Sequence, residues 1–282
     1  GFAQWLNAHP DKWSGSVILL FQPAEETAQG ALAVLADQKF TDLRPDIIFG
    51  MHNLPGFPLN SIVLRERTFA SASCGLKIRL TGKTSHAGHP EDGKSPLLAM
   101  LGVIDTLKDL THSQTSLAEN AMVTIIHARL GEEAFGTSPG EAEVMATFRA
   151  WEDATLQKMT RAAEEKIAAI AGAGKLKLEL KWVEKFAATV NDPGAVRIVE
   201  RAAKKAGLPI MDPATPFPWS EDFSFFTGRH RCAFFGLGAG EGHPRLHNPD
   251  YDFPDELIPT AIGLYANILG EAREHYAADK LD

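Results

Sequence analysis

Hydrophobic positions along the chain change period several times, and each change marks an element. Phe2, Trp5 and Leu6 share one face of a helical pattern over about residues 1–9. The apolar run Ser16-Val-Ile-Leu-Leu-Phe21 predicts a buried strand, followed by a helix over about 28–38 with Ala31, Leu32, Val34 and Leu35. A second apolar run, Asp46-Ile-Ile-Phe-Gly50, predicts a strand that ends in Met51-His52-Asn53, and 61–64 reads as a further short strand. Strand, helix, strand argues for a parallel sheet.

From about residue 73 the texture differs. Gly75–Thr81 alternates as a half-exposed strand, and a helix is predicted over about 95–110. Strands follow at about 121–130 and 141–150, then a helix at 153–172 and a strand at 176–182. The order β-α-β-β-α-β is the split arrangement of a ferredoxin-like domain. After about 187 the first texture returns, with a helix at 193–206, the strand Cys232–Leu237 and a long helix at 256–276. The chain therefore reads as an α/β domain in two pieces, 1–72 and 187–282, with an α+β domain inserted at 73–186.

Composition narrows the function. The 282 residues are 44% hydrophobic and 23% charged with a net charge of -8, and no basic run occurs, which argues against nucleic acid as a partner. No apolar stretch approaches the roughly 18 residues of a membrane span. The two cysteines, Cys74 and Cys232, read as free buried thiols in a reducing compartment such as the cytoplasm. The chain opens inside a helical pattern with no capping residue before it, which reads as a fragment or a processed terminus.

Candidate chemistry collects at the predicted strand ends, where open α/β sheets bind ligands. Glu25 and Glu26 follow the first apolar run, and two adjacent carboxylates there call for a cation or a shared proton. A solvated acidic start to the next helix is the alternative account. His52 follows the second run. His247 lies in Leu246-His-Asn-Pro-Asp-Tyr-Asp-Phe253, after a glycine-rich stretch. Either histidine could be a simple loop residue. Together Glu26, His52 and His247 can supply metal ligands and Glu25 a base, the parts that a hydrolytic two-metal site needs.

The segments Phe21-Gln-Pro-Ala-Glu-Glu26, Gly50-Met-His-Asn53, Gly82-Lys-Thr-Ser-His-Ala87, Ser220-Glu-Asp-Phe223 and Leu246–Phe253 resemble, in order, the motifs of the M20 metallopeptidase family. The match is closest to its amidohydrolase branch, which acts on N-acyl, hippuryl and indoleacetyl amino acids. The resemblance implies a zinc-exopeptidase-like catalytic domain, N-terminally incomplete, with a ferredoxin-like lid and dimerisation domain. It implies Glu25 as general base, Glu26, His52 and His247 as ligands of two divalent ions (Zn or Mn), and His86 as the lid histidine that reaches a neighbouring subunit's site. Taken alone, His86 could be a turn residue. Ser220-Glu-Asp222 resembles the family's acidic loop near the substrate, and a helix N-cap accounts for it equally well. Implied too are a small N-acyl amino acid substrate and a homodimer.

Two departures stand out. The family's Cys-Gly-His-Asp-Gly-His stretch has no counterpart in residues 1–24, and Gly136-Thr-Ser-Pro139 replaces a lid Asn-Val-Ile-Pro segment. The alternatives are a carboxypeptidase or dipeptidase of the same family, or a catalytically incomplete fragment that only self-associates.

Overall fold

A computed structural model describes residues 1–278. The chain divides into two compact units. The first takes Gly1–Phe69, Thr189–Phe217 and the chain from Glu221 onward, and the second takes Ala70–Ala188 and Pro218–Ser220.

In the first unit a four-stranded sheet is built around Cys232–Gly238, whose every residue is buried. Ile48–Leu54 runs parallel to it from Ile48 opposite Cys232 to Leu54 opposite Gly238. Ile62–Val63 pairs with it in the antiparallel sense and in turn lies parallel to Ile210–Met211. The helices Pro193–Lys205 and Leu257–Ala278 contribute Ile198, Val199, Ala202, Leu264 and Ile268 to a core that holds Phe235 and Leu237 of the central strand. Pro193 starts its helix with φ already fixed, and the Asp192 carboxylate caps it by accepting from the Ala195 N–H at 2.8 Å. Asn191 fastens the central strand from the side. Its amide donates to the Phe234 and Arg65 carbonyls at 2.8 and 2.9 Å and accepts from the Phe234 N–H at 2.7 Å.

The second unit is an antiparallel sheet in the order Ala121–Leu130, Glu141–Ala150, Ala72–Thr81, Lys177–Phe186. Alternation decides its two faces. Leu76, Ile78 and Leu80 stand opposite or beside Ala142, Val144 and Ala146, and all are buried. Against them pack Val103, Leu107 and Leu110 of the helix Leu97–Gln114 and Met159, Ala163 and Ile167 of the helix Asp153–Ala173.

Two expectations fail. Residues 16–21 form no strand: no ladder includes them, and Phe21 is 87% exposed. An apolar run becomes a strand only when another strand supplies its hydrogen bonds, and among the described residues none does. The Ile48–Leu54 strand also runs further than predicted, so His52 lies within it, opposite Gly236, rather than beyond its end. Among the described residues no helix is long and apolar enough to cross a membrane.

Candidate active site

Glu25 and Glu26 sit on a tight 3₁₀ turn, Glu25–Thr27, not on the end of a strand. The turn is bracketed by Ala24 (φ 61°) and Ala28 (φ 57°), both left-handed. That region is unfavourable for alanine, so the surroundings must hold the turn in place. The Ala24 carbonyl does part of this, accepting from the N–H groups of Gln29 and Gly30 at 3.3 and 3.2 Å.

The rest of the restraint comes from about 200 residues away. Asp222 is 1% exposed. Gln22 Nε2 donates to both of its carboxylate oxygens at 2.7 Å, and the Ala31 N–H donates to Oδ2 at 2.9 Å. The Asp222 carboxylate thus caps the helix Gly30–Ala36, whose own N-cap residue, Gln29, makes no side-chain cap bond. The Asp222 backbone N–H donates in turn to Glu25 Oε1 at 3.1 Å.

Glu221 is the second residue delivered by this segment. It is 8% exposed, and its Oε1 lies 3.9 Å from His52 Nε2. Burial pushes its carboxyl up to about 9, reinforced by the charges of Glu25, Asp222 and Glu26 and by a hydrogen bond with Glu25. Burial also raises Glu25, opposed by the Asp222 N–H and reinforced by Asp222 and Glu26, while His52 lowers it. Glu25, Glu26, His52 and Glu221 therefore share one electrostatic neighbourhood.

His52 is held for a particular tautomer. Its Nδ1 lies 2.7 Å from the Asn53 carbonyl, which can only accept, so Nδ1 carries a proton and Nε2 is the ring nitrogen turned toward Glu221. Asn53 also donates to the Tyr251 hydroxyl, whose ring meets His243 edge-on at 5.3 Å. His247, on the same loop as Tyr251, is exposed in a turn with φ 66°.

In the second unit, His86 is exposed on the short strand Ser85–His86, which pairs with Thr137–Ser138. Its Nδ1 accepts from the Gly88 N–H at 3.0 Å, which leaves the proton of the neutral ring on Nε2.

The donor chemistry suits a divalent cation in part. Mutually repelling carboxylates beside the His52 ring, with Glu221 buried and Glu25 half-buried among them, are what such an ion would relieve. Among the described residues, however, no three His, Cys, Asp or Glu side chains are gathered closely enough to hold one. His247 is not grouped with His52, Glu25 and Glu26. The residues present fit part of a coordination shell.

Sequence reading passed over Gln22, Asn53 and Tyr251. The Ser220-Glu-Asp222 triplet was visible and its capping role foreseeable, but the helix that Asp222 caps is remote in sequence. The local helix Ser224–Thr227 has no side-chain cap bond.

An α/β fold that sets Glu25, Glu26 and the buried Glu221 around one histidine invites comparison with metal-dependent hydrolases. The solved structure of a dinuclear metal binding peptidase of the M20 family from Bacillus subtilis is similar to this chain, with a TM-score of 0.79 and 25% identity over 97% of this chain and 70% of that one. An aminobenzoyl-glutamate utilization protein from Klebsiella pneumoniae has the same fold, with a TM-score of 0.75 and 23% identity over 95% of this chain and 65% of that one. The sequence profile of peptidase family M20/M25/M40 matches residues 1–271, and the chain belongs to that family. Among curated relatives, an N-acetylcysteine deacetylase of Bacillus subtilis is 27% identical over 95% of this chain and 69% of its own length. A hippurate hydrolase of Campylobacter jejuni is 30% identical over 91% of this chain and 67% of its own. The chain is an enzyme of the metal-dependent amidohydrolase and peptidase class.

Proposed function

We propose that this chain serves in hydrolysis of the amide bond of N-acyl or aryl-acyl amino acids, with Glu25 as general base. The observation that carries the reading is the placement of Glu25, pinned by the Asp222 N–H beside His52 and Glu221. The names of the deacetylase and hippurate hydrolase relatives support the substrate class. Two divalent ions, Zn or Mn, would polarise the scissile carbonyl and acidify a water when bound. Glu26 and His52 would supply part of their coordination shell, and His247 would have to join them from its exposed turn. Glu25 takes the proton of the attacking water and later delivers it to the departing amine. Burial raises the Glu25 carboxyl, which strengthens it as a proton acceptor. His86 presents Nε2–H, the donor that an oxyanion needs.

The reading assigns 1–72 and 187–282 to a zinc-exopeptidase-like catalytic domain and 73–186 to an inserted ferredoxin-like lid through which two copies associate. In such a dimer His86 acts on the neighbouring subunit's substrate. The exposure of Leu98 (82%) on its helix and of Ile126 (62%) on the edge strand Ala121–Leu130 supports that association. The buried free thiols support a cytoplasmic setting.

The test is amine release by the full-length protein with Mn²⁺ or Zn²⁺, across N-acetyl and benzoyl amino acids and unblocked dipeptides. Turnover of the acylated set supports the reading. Turnover of dipeptides alone favours the peptidase alternative, and no turnover at all overturns the reading.

A further inference from the structure

The bonds around Asp222 do more than finish a helix. A cap satisfies N–H groups that would otherwise lack partners, and the local N-cap position is its usual source. Here the cap comes from 191 residues away, and the residue that supplies it also sends its own N–H to Glu25. Gln22 completes a closed circuit. It donates to both Asp222 oxygens, three residues before Glu25 in the chain, so both ends of the Gln22–Glu25 segment are tied to one aspartate. The circuit closes tightly over Gly30. A Cβ there would stand 2.1 Å from the Pro23 carbonyl oxygen, 2.9 Å from Gln22 Nε2 and 3.0 Å from Asp222 Oδ2. Glycine is therefore the residue that this clamp admits.

We infer that Asp222, clamped by Gln22 and the Ala31 N–H over Gly30, is the positioning residue that fixes the Glu25 carboxylate for proton transfer. The inference rests on Glu25 being the base. A plain capping role predicts lost stability only, whereas a positioning role predicts lost turnover in enzyme that is still folded.

Two measurements on the full-length protein separate the possibilities. In the metal-free protein, the amide hydrogen of residue 222 is followed by exchange. Its protection should fall at least about tenfold in Asp222→Ala and in Gly30→Ala, while amides of the Cys232–Gly238 strand stay protected. In the exchanged pair Gln22→Glu with Asp222→Asn, the introduced amide can donate to the introduced carboxylate and still accept from the Ala31 N–H, so protection should return. With metal added, Asp222→Ala should lower kcat about 100-fold with KM nearly unchanged, the scale of a misplaced catalytic group, and the exchanged pair should keep most of the wild-type kcat. Unchanged protection, or full kcat, in Asp222→Ala overturns the inference. A wild-type protein that hydrolyses no substrate would sink the proposed function and leave the exchange result to judge the clamp.

Discussion

Replacing Glu221 by glutamine should stabilise the metal-free protein, increasingly so as pH rises. In the folded state the Glu221 carboxyl titrates at about 9, against an ordinary value of 4.5. The folded state therefore binds a proton that the unfolded state has released over that interval. Stability from this group is fullest below about 4.5 and declines as pH climbs toward 9. Each pH unit within the window costs about 1.4 kcal/mol, so at pH 7 the cost relative to pH 4.5 is on the order of 3 kcal/mol. Glutamine keeps the shape and carries no charge, so the difference between variant and wild type reads the Glu221 charge together with its coupling to Glu25 and Asp222. The assay is urea unfolding at pH 5, 6, 7 and 8, read by hydrogen exchange of the Ile48–Leu54 strand so that the first unit alone is reported. The gain should be small at pH 5 and grow steadily. Saturating Mn²⁺ should shrink it, because a cation stabilises the ionised carboxylates. A gain that is flat with pH, or a wild type that grows more stable relative to the variant as pH rises, would refute the reasoning.

Asn191→Ala should cost the first unit about 3 kcal/mol, since three buried backbone groups of Phe234 and Arg65 lose their partner at roughly 1 kcal/mol each; denaturant titration read at the Cys232–Gly238 strand checks it, and a loss below about 1 kcal/mol counts against the clamp on that strand. Burial pushes the thiols of Cys74 and Cys232 up to about 12. Neither should react with a thiol reagent at pH 8 until urea opens its unit, so mass spectrometry of labelled peptides should give one opening curve per unit, and rapid native labelling would contradict the packing.

The sequence shows the second unit more clearly than the first, for a physical reason. Ala142, Val144, Ala146 and Phe148 alternate with exposed or half-exposed neighbours, and Met159, Ala163 and Ile167 recur at helical spacing. Such elements carry their partner's direction in their own pattern. Residues 16–21 are apolar throughout and carry no such direction, so their lack of a ladder could not be foreseen. The strand bearing His52 outlasts its apolar run, because pairing with Cys232–Gly238 continues through polar His52 and Asn53. Glu25, Glu26 and His52 stood out by local chemistry. The clamp from Gln22 through Asp222 to Ala31 joins segments about 200 residues apart, and only the folded chain brings them together.

The central claim is that Glu25 moves the proton in a metal-dependent amide hydrolysis. The most direct test compares full-length wild type and Glu25→Gln, loaded with Mn²⁺ or Zn²⁺, for hydrolysis of an N-acyl amino acid and for bound metal by elemental analysis. The account predicts a fall in kcat of about 100-fold or more with metal content unchanged. Wild-type turnover in the variant, with metal retained, would contradict it.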